Sequence, residues 1–482
     1  MLTAQNLMEL PKIIQGGMGV AISNWTLAKA VSSEGHLGVI SGTGVAQMMI
    51  SRLMDGDEGG HVRRALEHFP FQEPIQRIID KYYIAKPVFP KIPYIRPPMW
   101  KINPAKSLDE ITVIANFVEV FLAKEGHENG VGINLLEKVQ MPTMSSLYGA
   151  MLAGVNYVIM GAGIPVQIPG ILDKLANHEP VSYRLDVMNA DRDDEFRIHF
   201  DPRAIFSDAV EKANDLARPF WMPIISSIVL AKALIKRSTG KVNGFIIEAP
   251  TAGGHNAPPR GMMKLDENGE PIYGRKDVVD FSKMEQFGLP FWLAGGRDTP
   301  QQVQEALDAG ATGVQIGSAF AYCDESGMDD VIKRRVIQKV VDEELVIRTD
   351  PRISPTGFPF KVAQVEGTMS ETAVYEARPR LCDVGLLRKV YKRSDGKIGY
   401  RCSSEPVNLY LKKEGDVEET VGRGCLCNNL YASAGKPQHR KDGYIEAPVV
   451  TSGDGVVGIG RFLRPGKRSY TAKNVLDYLT GK

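Results

Sequence analysis

Residues 291–320 read FWLAGGRDTPQQVQEALDAGATGVQIGSAF. Phe291 to Gly296 is an apolar run ending in two glycines, and Gly313 to Phe320 is a second run ending in glycine and a hydroxyl. The spacer TPQQVQEALDAG has apolar residues at helical spacing between a Thr-Pro start and a glycine stop. Strand, helix, strand in that order is the repeating unit of a parallel sheet. The GG and GS ends leave backbone N–H groups uncovered by side chains, as a phosphate dianion requires.

The same rhythm runs through the preceding chain. Apolar runs ending in glycine or a small polar residue start at Lys12 (KIIQGG), Leu37 (LGVISG), Val131 (VGINLL), Tyr157 (YVIMGAG), Pro223 (PIISSI) and Gly244 (GFIIEA), and with the two above they make eight. Most are continuous rather than alternating, which predicts strands buried on both faces. Helical patterns such as NWTLAKAVSSEG, SSLYGAMLAG and VLAKALIKRS lie between many of them. Eight alternations predict an α/β fold, a (β/α)8 TIM barrel, whose strand C-terminal ends form the active face.

Two long gaps and a tail depart from the repeat. About 44–125 is too long for a simple connection and includes FPKIPYIRPPMW, read as a lid or subdomain inserted after the second strand. YRLDVMNADRDDEFRIHFDP reads as a hairpin around an acidic turn. The barrel with its insertion is therefore expected over 1–340 and a C-terminal extension, packed on it, over 341–482.

Charge is balanced, with 58 basic and 57 acidic residues, so a nucleic-acid-binding role is not expected. There is no apolar run of about 18 residues and no basic segment leading into an apolar one at MLTAQNLMELPKIIQGG. A cytoplasmic protein with no membrane partner is the expectation; a homo-oligomer is left open. Five irregularly spaced cysteines do not suggest a disulfide framework. Cys382, Cys402, Cys425 and Cys427 lack C-x-x-C spacing, and buried thiols with no metal are the expectation over zinc or an iron–sulfur cluster.

The segment GFIIEAPTAGGHNAPPRG, residues 244–261, places one histidine just past a strand end. Gly253 and Gly254 let backbone approach a ligand and tolerate positive φ, and His255 is displayed beyond them. Taken alone, an ordinary turn with a satisfied histidine explains GGH equally well. Asn134 and Glu248 are polar residues inside apolar runs near strand ends, so each needs a core partner or a ligand. QGGMG, 15–19, brings glycine backbone to the first loop. Arg260 suits an anionic substrate or a loop carboxylate. GDGVVG, 453–458, satisfies a dinucleotide-binding expression but is followed by GIGRFLRPG rather than a helix, so it is read as a decoy.

QGGMG, the asparagine strand, Glu248 to His255 as E-x-x-x-x-G-G-H, LAGG and VQIGSAF occur in one order. Together they resemble the nitronate monooxygenase family, formerly 2-nitropropane dioxygenases; FMN-dependent enoyl-acyl-carrier-protein reductases share that fold and those motifs. The likeness covers roughly residues 10–340. It implies FMN at the barrel mouth, its phosphate held by Gly295, Gly296, Gly317 and Ser318, with Gly17, Met18, Asn134, Ser226, Glu248 and Gly253 around the flavin. His255 falls on the catalytic histidine. The implied activity is oxidation of alkyl nitronates with O2. NAD(P)H-dependent reduction of an enoyl thioester is the alternative, and a non-catalytic flavin-binding interaction subunit is a third reading. The HNAPPRG continuation, the insertion and the cysteine-bearing extension depart from the compact members of that family.

Overall fold

The computed structural model describes residues 9–87, 92–207, 210–211 and 213–482. The first eight residues of the N-terminal segment and Phe89, Pro90 and Lys91 of FPKIPYIRPPMW lie outside them. Eight parallel strands follow the eight apolar runs: β1 Ile13–Gln15, β2 Gly38–Ser41, β3 Val131–Leu136, β4 Tyr157–Gly161, β5 Phe220–Ile225, β6 Phe245–Glu248, β7 Phe291–Ala294 and β8 Gly313–Ile316. They pair in the order β1-β8-β7-β6-β5-β4-β3-β2. A parallel bridge between Ile14 and Leu37, with Gln15 N–H donating to the Leu37 carbonyl at 2.9 Å, joins the two ends into a barrel. β4 and β7 are buried at every position, as expected of strands covered on both faces.

Strand periodicity decides what fills the barrel. Ile14, Val39, Ile159, Met222, Ile246 and Trp292 alternate inward and pack as one buried cluster. The Trp292 indole N–H donates to the Pro11 carbonyl at 2.7 Å, which ties this filling to the segment before β1. One step further along the same inward rows come Ser41, Asn134, Gly161 and Glu248, so polar or small residues face the opposite end.

Helix starts follow the local sequence. Asn24 caps Trp25–Ser33 by accepting from Leu27 N–H, and Thr299 forms a capping box with Gln302 ahead of Pro300–Asp308. The expected insertion contains a 19-residue helix, Lys106–Lys124, that packs against Trp25–Ser33 and Thr143–Leu152. That helix belongs to the layer around the barrel, so the excursion closes before residue 106. The expected hairpin is an antiparallel pair of Val181–Arg184 with Arg197–Phe200. Val187–Met188 within it pairs with Lys389–Lys392 of the extension.

The extension lies across the barrel mouth. Ile347–Asp350 pairs with Phe360–Ala363, and the latter forms an antiparallel bridge from Phe360 to His255. A buried pair, Arg378 with Glu446 at 2.7 Å, neighbours Arg440, which reaches Asp383 at 2.6 Å. Asn428 donates to Asp383 at 2.8 Å and accepts from Arg96 at 2.6 Å, which links the extension to the insertion. Among the described residues no helix is long and apolar enough to cross a membrane.

Candidate active site

A cavity of about 270 Å³ occupies the C-terminal end of the barrel, roofed by the extension. Gly17, Met18, Asn134, Glu248, Gly253, His255, Gly295, Gly296, Gly317 and Ser318 all line it. Ser226 does not. β5 begins at Phe220 and ends at Ile225, and Ser227 already caps the next helix, so Ile224 takes the inward place. Ser226 lines instead a cleft of about 20 Å³ with Arg260, Tyr273 and Asp277, where its carbonyl accepts from Arg260 at 3.3 Å. Glu248 lines both spaces.

The glycines serve different neighbours. A Cβ on Gly17 would lie 2.3 Å from the Asn134 Cβ, so glycine lets the first loop pass over the β3 amide. Gly295 and Gly296 have φ of +93° and +65°, conformations that side chains resist. A Cβ on Gly253 would lie 2.6 Å from the Gly453 nitrogen. The sequence reading gave Gly253 to a ligand; its close neighbour is the extension, and of the Gly253–Gly254 pair only Gly254 has positive φ.

GDGVVG is no dinucleotide loop: Asp454–Phe462 is a 3-10 helix packed beside the barrel mouth. Yet the segment is part of the site. Gly453 N–H donates to Ser318 Oγ at 2.8 Å, and Gly453 and Gly455 line the cavity. Thr451 accepts from Gly254 N–H at 2.9 Å, and Lys361 N–H donates to the Gly254 carbonyl at 3.0 Å. The histidine loop is thus held from both sides by the extension.

His255 packs edge-on against Phe360, with ring centroids 4.8 Å apart, and its Nε2 lies 2.7 Å from Ser354 Oγ. Nδ1 has no protein partner among the described residues. Burial holds the imidazole down to about 4, so it is uncharged at neutral pH. Burial pushes the Glu248 carboxyl up to about 8, so it too is mostly uncharged there. Among the described residues the cation lining this cavity is Arg297, directly after the paired glycines. Its Nε is buried without a partner, as is Oε1 of Gln315 on β8.

Sequence reasoning missed Gln315, Ser41 and Arg297, although the signals existed. Gln315 and Ser41 interrupt apolar runs as Asn134 does, and Arg297 follows GG directly. It also missed Phe360, Leu386, Leu387, Leu430 and Val449, the apolar wall supplied by the extension. Of the extension's cysteines, Cys402, Cys425 and Cys427 are buried, and Cys427 also lines the cavity. Among the described residues no group of His, Cys, Asp and Glu is arranged to hold a metal.

The family model for nitronate monooxygenase matches residues 177–353, which span β5 to β8 and the histidine loop. That segment is where the chain is similar to the nitronate monooxygenase family. It is 34% identical over 107 residues to a probable nitronate monooxygenase of Bacillus subtilis, covering 22% of this chain and 29% of that one. It is 27% identical over 262 residues to (3aS,4S,5R,7aS)-5-hydroxy-7a-methyl-1-oxo-octahydro-1H-indene-4-carboxyl-CoA dehydrogenase of Mycobacterium tuberculosis, covering 53% of this chain and 65% of that one. The chain therefore spans less than two thirds of either curated relative. Among solved structures it is similar to the enoyl reductase domain of MlnA from Bacillus amyloliquefaciens, at 11% identity and a TM-score of 0.48, with 99% and 95% of the two chains covered.

Proposed function

We propose that the protein is an FMN-dependent oxidoreductase that reduces the carbon–carbon double bond of an unsaturated acyl thioester with NAD(P)H. The cavity residues fit the flavin. Gly295 and Gly296 keep backbone open beside Arg297, whose unpartnered Nε suits the phosphate, and Gly317 and Ser318 complete that end. The unpartnered Gln315 Oε1 suits a ring N–H, with Gly17, Met18 and Asn134 along the same wall. When bound, the flavin supplies hydride transfer.

The observation that carries the substrate choice is the set of apolar side chains the extension brings into the cavity that His255 lines. Phe360, Leu386, Leu387, Leu430 and Val449 are apolar, and burial leaves His255 uncharged. A neutral imidazole beside an apolar wall suits an acyl chain and its carbonyl better than a small anion. His255 Nδ1–H donates to the carbonyl oxygen as negative charge develops there, or passes its proton to the α-carbon. The extension keeps the ring in place and excludes water.

Nitronate oxidation is the second reading, supported by the family match across the histidine loop. Anaerobic mixing separates the two. Flavin bleaching by NADPH followed by reoxidation with a 2-enoyl thioester is the expected result. Bleaching by an alkyl nitronate, with none by NADPH, would replace it with nitronate oxidation.

A further inference from the structure

We infer that Ser354 and Thr356 of the extension form a proton relay that joins His255 Nε2 to the protein surface while Nδ1 serves the cavity. This rests on the histidine's part in the proposed reaction. His255 Nε2 to Ser354 Oγ is 2.7 Å, and Ser354 Oγ to Thr356 Oγ1 is 2.7 Å. Ser354 is fully buried, whereas Thr356 is half-buried and followed by the exposed Gly357. The chain of three groups therefore runs from the cavity wall outward.

Backbone donors fix both oxygens. Thr356 N–H donates to Ser354 Oγ at 3.2 Å, and Phe358 N–H donates to Thr356 Oγ1 at 3.2 Å. The hydroxyl protons stay free to point either way. In one arrangement Thr356 donates to Ser354, Ser354 donates to Nε2, and Nδ1–H faces the cavity. In the other, Nε2–H donates to Ser354, Ser354 donates to Thr356, whose own proton turns to solvent, and the Nδ1 lone pair faces the cavity. His255 Nε2 and Ser354 Oγ keep their partners in both. The two differ by one proton shifted at each site.

Burial that keeps the imidazole uncharged makes this wire useful, because the ring can give a proton at Nδ1 only if one arrives at Nε2. As the Nδ1–H bond breaks and a new bond to hydrogen forms on the substrate, the Ser354 O–H proton passes to Nε2. The Thr356 proton passes to Ser354, and solvent supplies one to Thr356. No electrons move along the chain and the ring only changes tautomer. Water entering as product leaves reprotonates Nδ1, and the relay runs back. Ser354 and Thr356 act through His255 and are positioning residues.

The test is the nitrogen-15 spectrum of histidine-labelled, flavin-loaded protein, with His255 assigned by its loss in His255→Asn. Wild type is expected to show His255 shifts averaged between two tautomers. Ser354→Ala and Thr356→Val are expected to show one tautomer, and Ser354→Thr the wild-type pattern. Turnover should fall about 10–100-fold in Ser354→Ala and recover in Ser354→Thr. Unchanged His255 shifts in both Ser354→Ala and Thr356→Val would overturn the relay; Thr356→Val serves alone where Ser354→Ala does not fold. The spectrum needs no substrate, so altered shifts in a protein that leaves 2-enoyl thioesters untouched would sink the proposed reaction and keep the relay.

Discussion

The two walls of the cavity are built on opposite plans. The barrel wall is rich in exposed backbone: glycines at the ends of β7 and β8 and in the first loop, with Asn134, Glu248 and Gln315 set inward by strand periodicity. The extension wall is carried more by side chains, Phe360, Leu386, Leu387, Leu430 and Val449 among them, with Gly453 and Gly455 at its edge and Ser354 behind the histidine. Backbone and inward polar groups suit a constant cofactor, because strands allow them little latitude. Side chains on a loop-rich segment can be exchanged without disturbing the barrel, which suits them to choosing a substrate. His255 sits on the seam and is held by both.

The sharpest way to break this contrast is at the seam. His255→Ala should leave FMN bound while turnover falls about 100-fold or more, read by flavin absorbance and steady-state rates. Retained turnover in a flavin-loaded variant would take the imidazole out of the chemistry. Next in size is Gly253→Ala, which sets a Cβ 2.6 Å from the Gly453 nitrogen. It should cost about 1–3 kcal/mol in a denaturant titration and expose the histidine loop to protease. A neutral result would mean that the loop and the extension do not press together.

Changes confined to the extension wall should touch substrate and spare cofactor. Leu387→Ser is expected to raise KM for a long-chain thioester about 10-fold, with little effect on a short one and none on flavin affinity. Equal effects on both chain lengths would deny the wall its selecting role. The smallest effect lies in the pH dependence of thermal unfolding. Folded His255 stays uncharged down to about 4, whereas the unfolded residue takes a proton near its ordinary 6.5. The unfolded chain binds more protons between those values, so this residue lowers stability as pH falls through them. Glu248 acts in the other direction. It keeps its proton to about 8 when folded but loses it near 4.5 when unfolded, so stability declines as pH rises between them. His255→Asn should flatten the acid limb and Glu248→Gln the alkaline one, and unaltered limbs would contradict the burial of these groups.

What could be read beforehand follows the same division. Barrel strands announce themselves because burial on both faces forces continuous apolar runs, and β3, Val131–Leu136, appears with the limits its sequence suggests. Asn134 and Glu248 stood out as polar interruptions, since only a partner or a ligand tolerates them there. Ser226 was misplaced because nothing in PIISSI marks where strand gives way to helix cap. The extension's contribution was hidden, since Ser354, Thr451 and Gly453 reach the site through contacts about 100 to 200 residues distant in the chain. Gly253 shows the limit most directly: its glycine was visible and its neighbour was not.

The indole of Trp292, tied to the Pro11 carbonyl beneath a filled interior, turns the barrel into a blind alley. Traffic therefore has to use the mouth that the extension overhangs. A donor and an acceptor that share this mouth are expected to take turns in it. Initial-velocity lines that run parallel as one reactant is varied against fixed amounts of the other are the kinetic mark of that alternation.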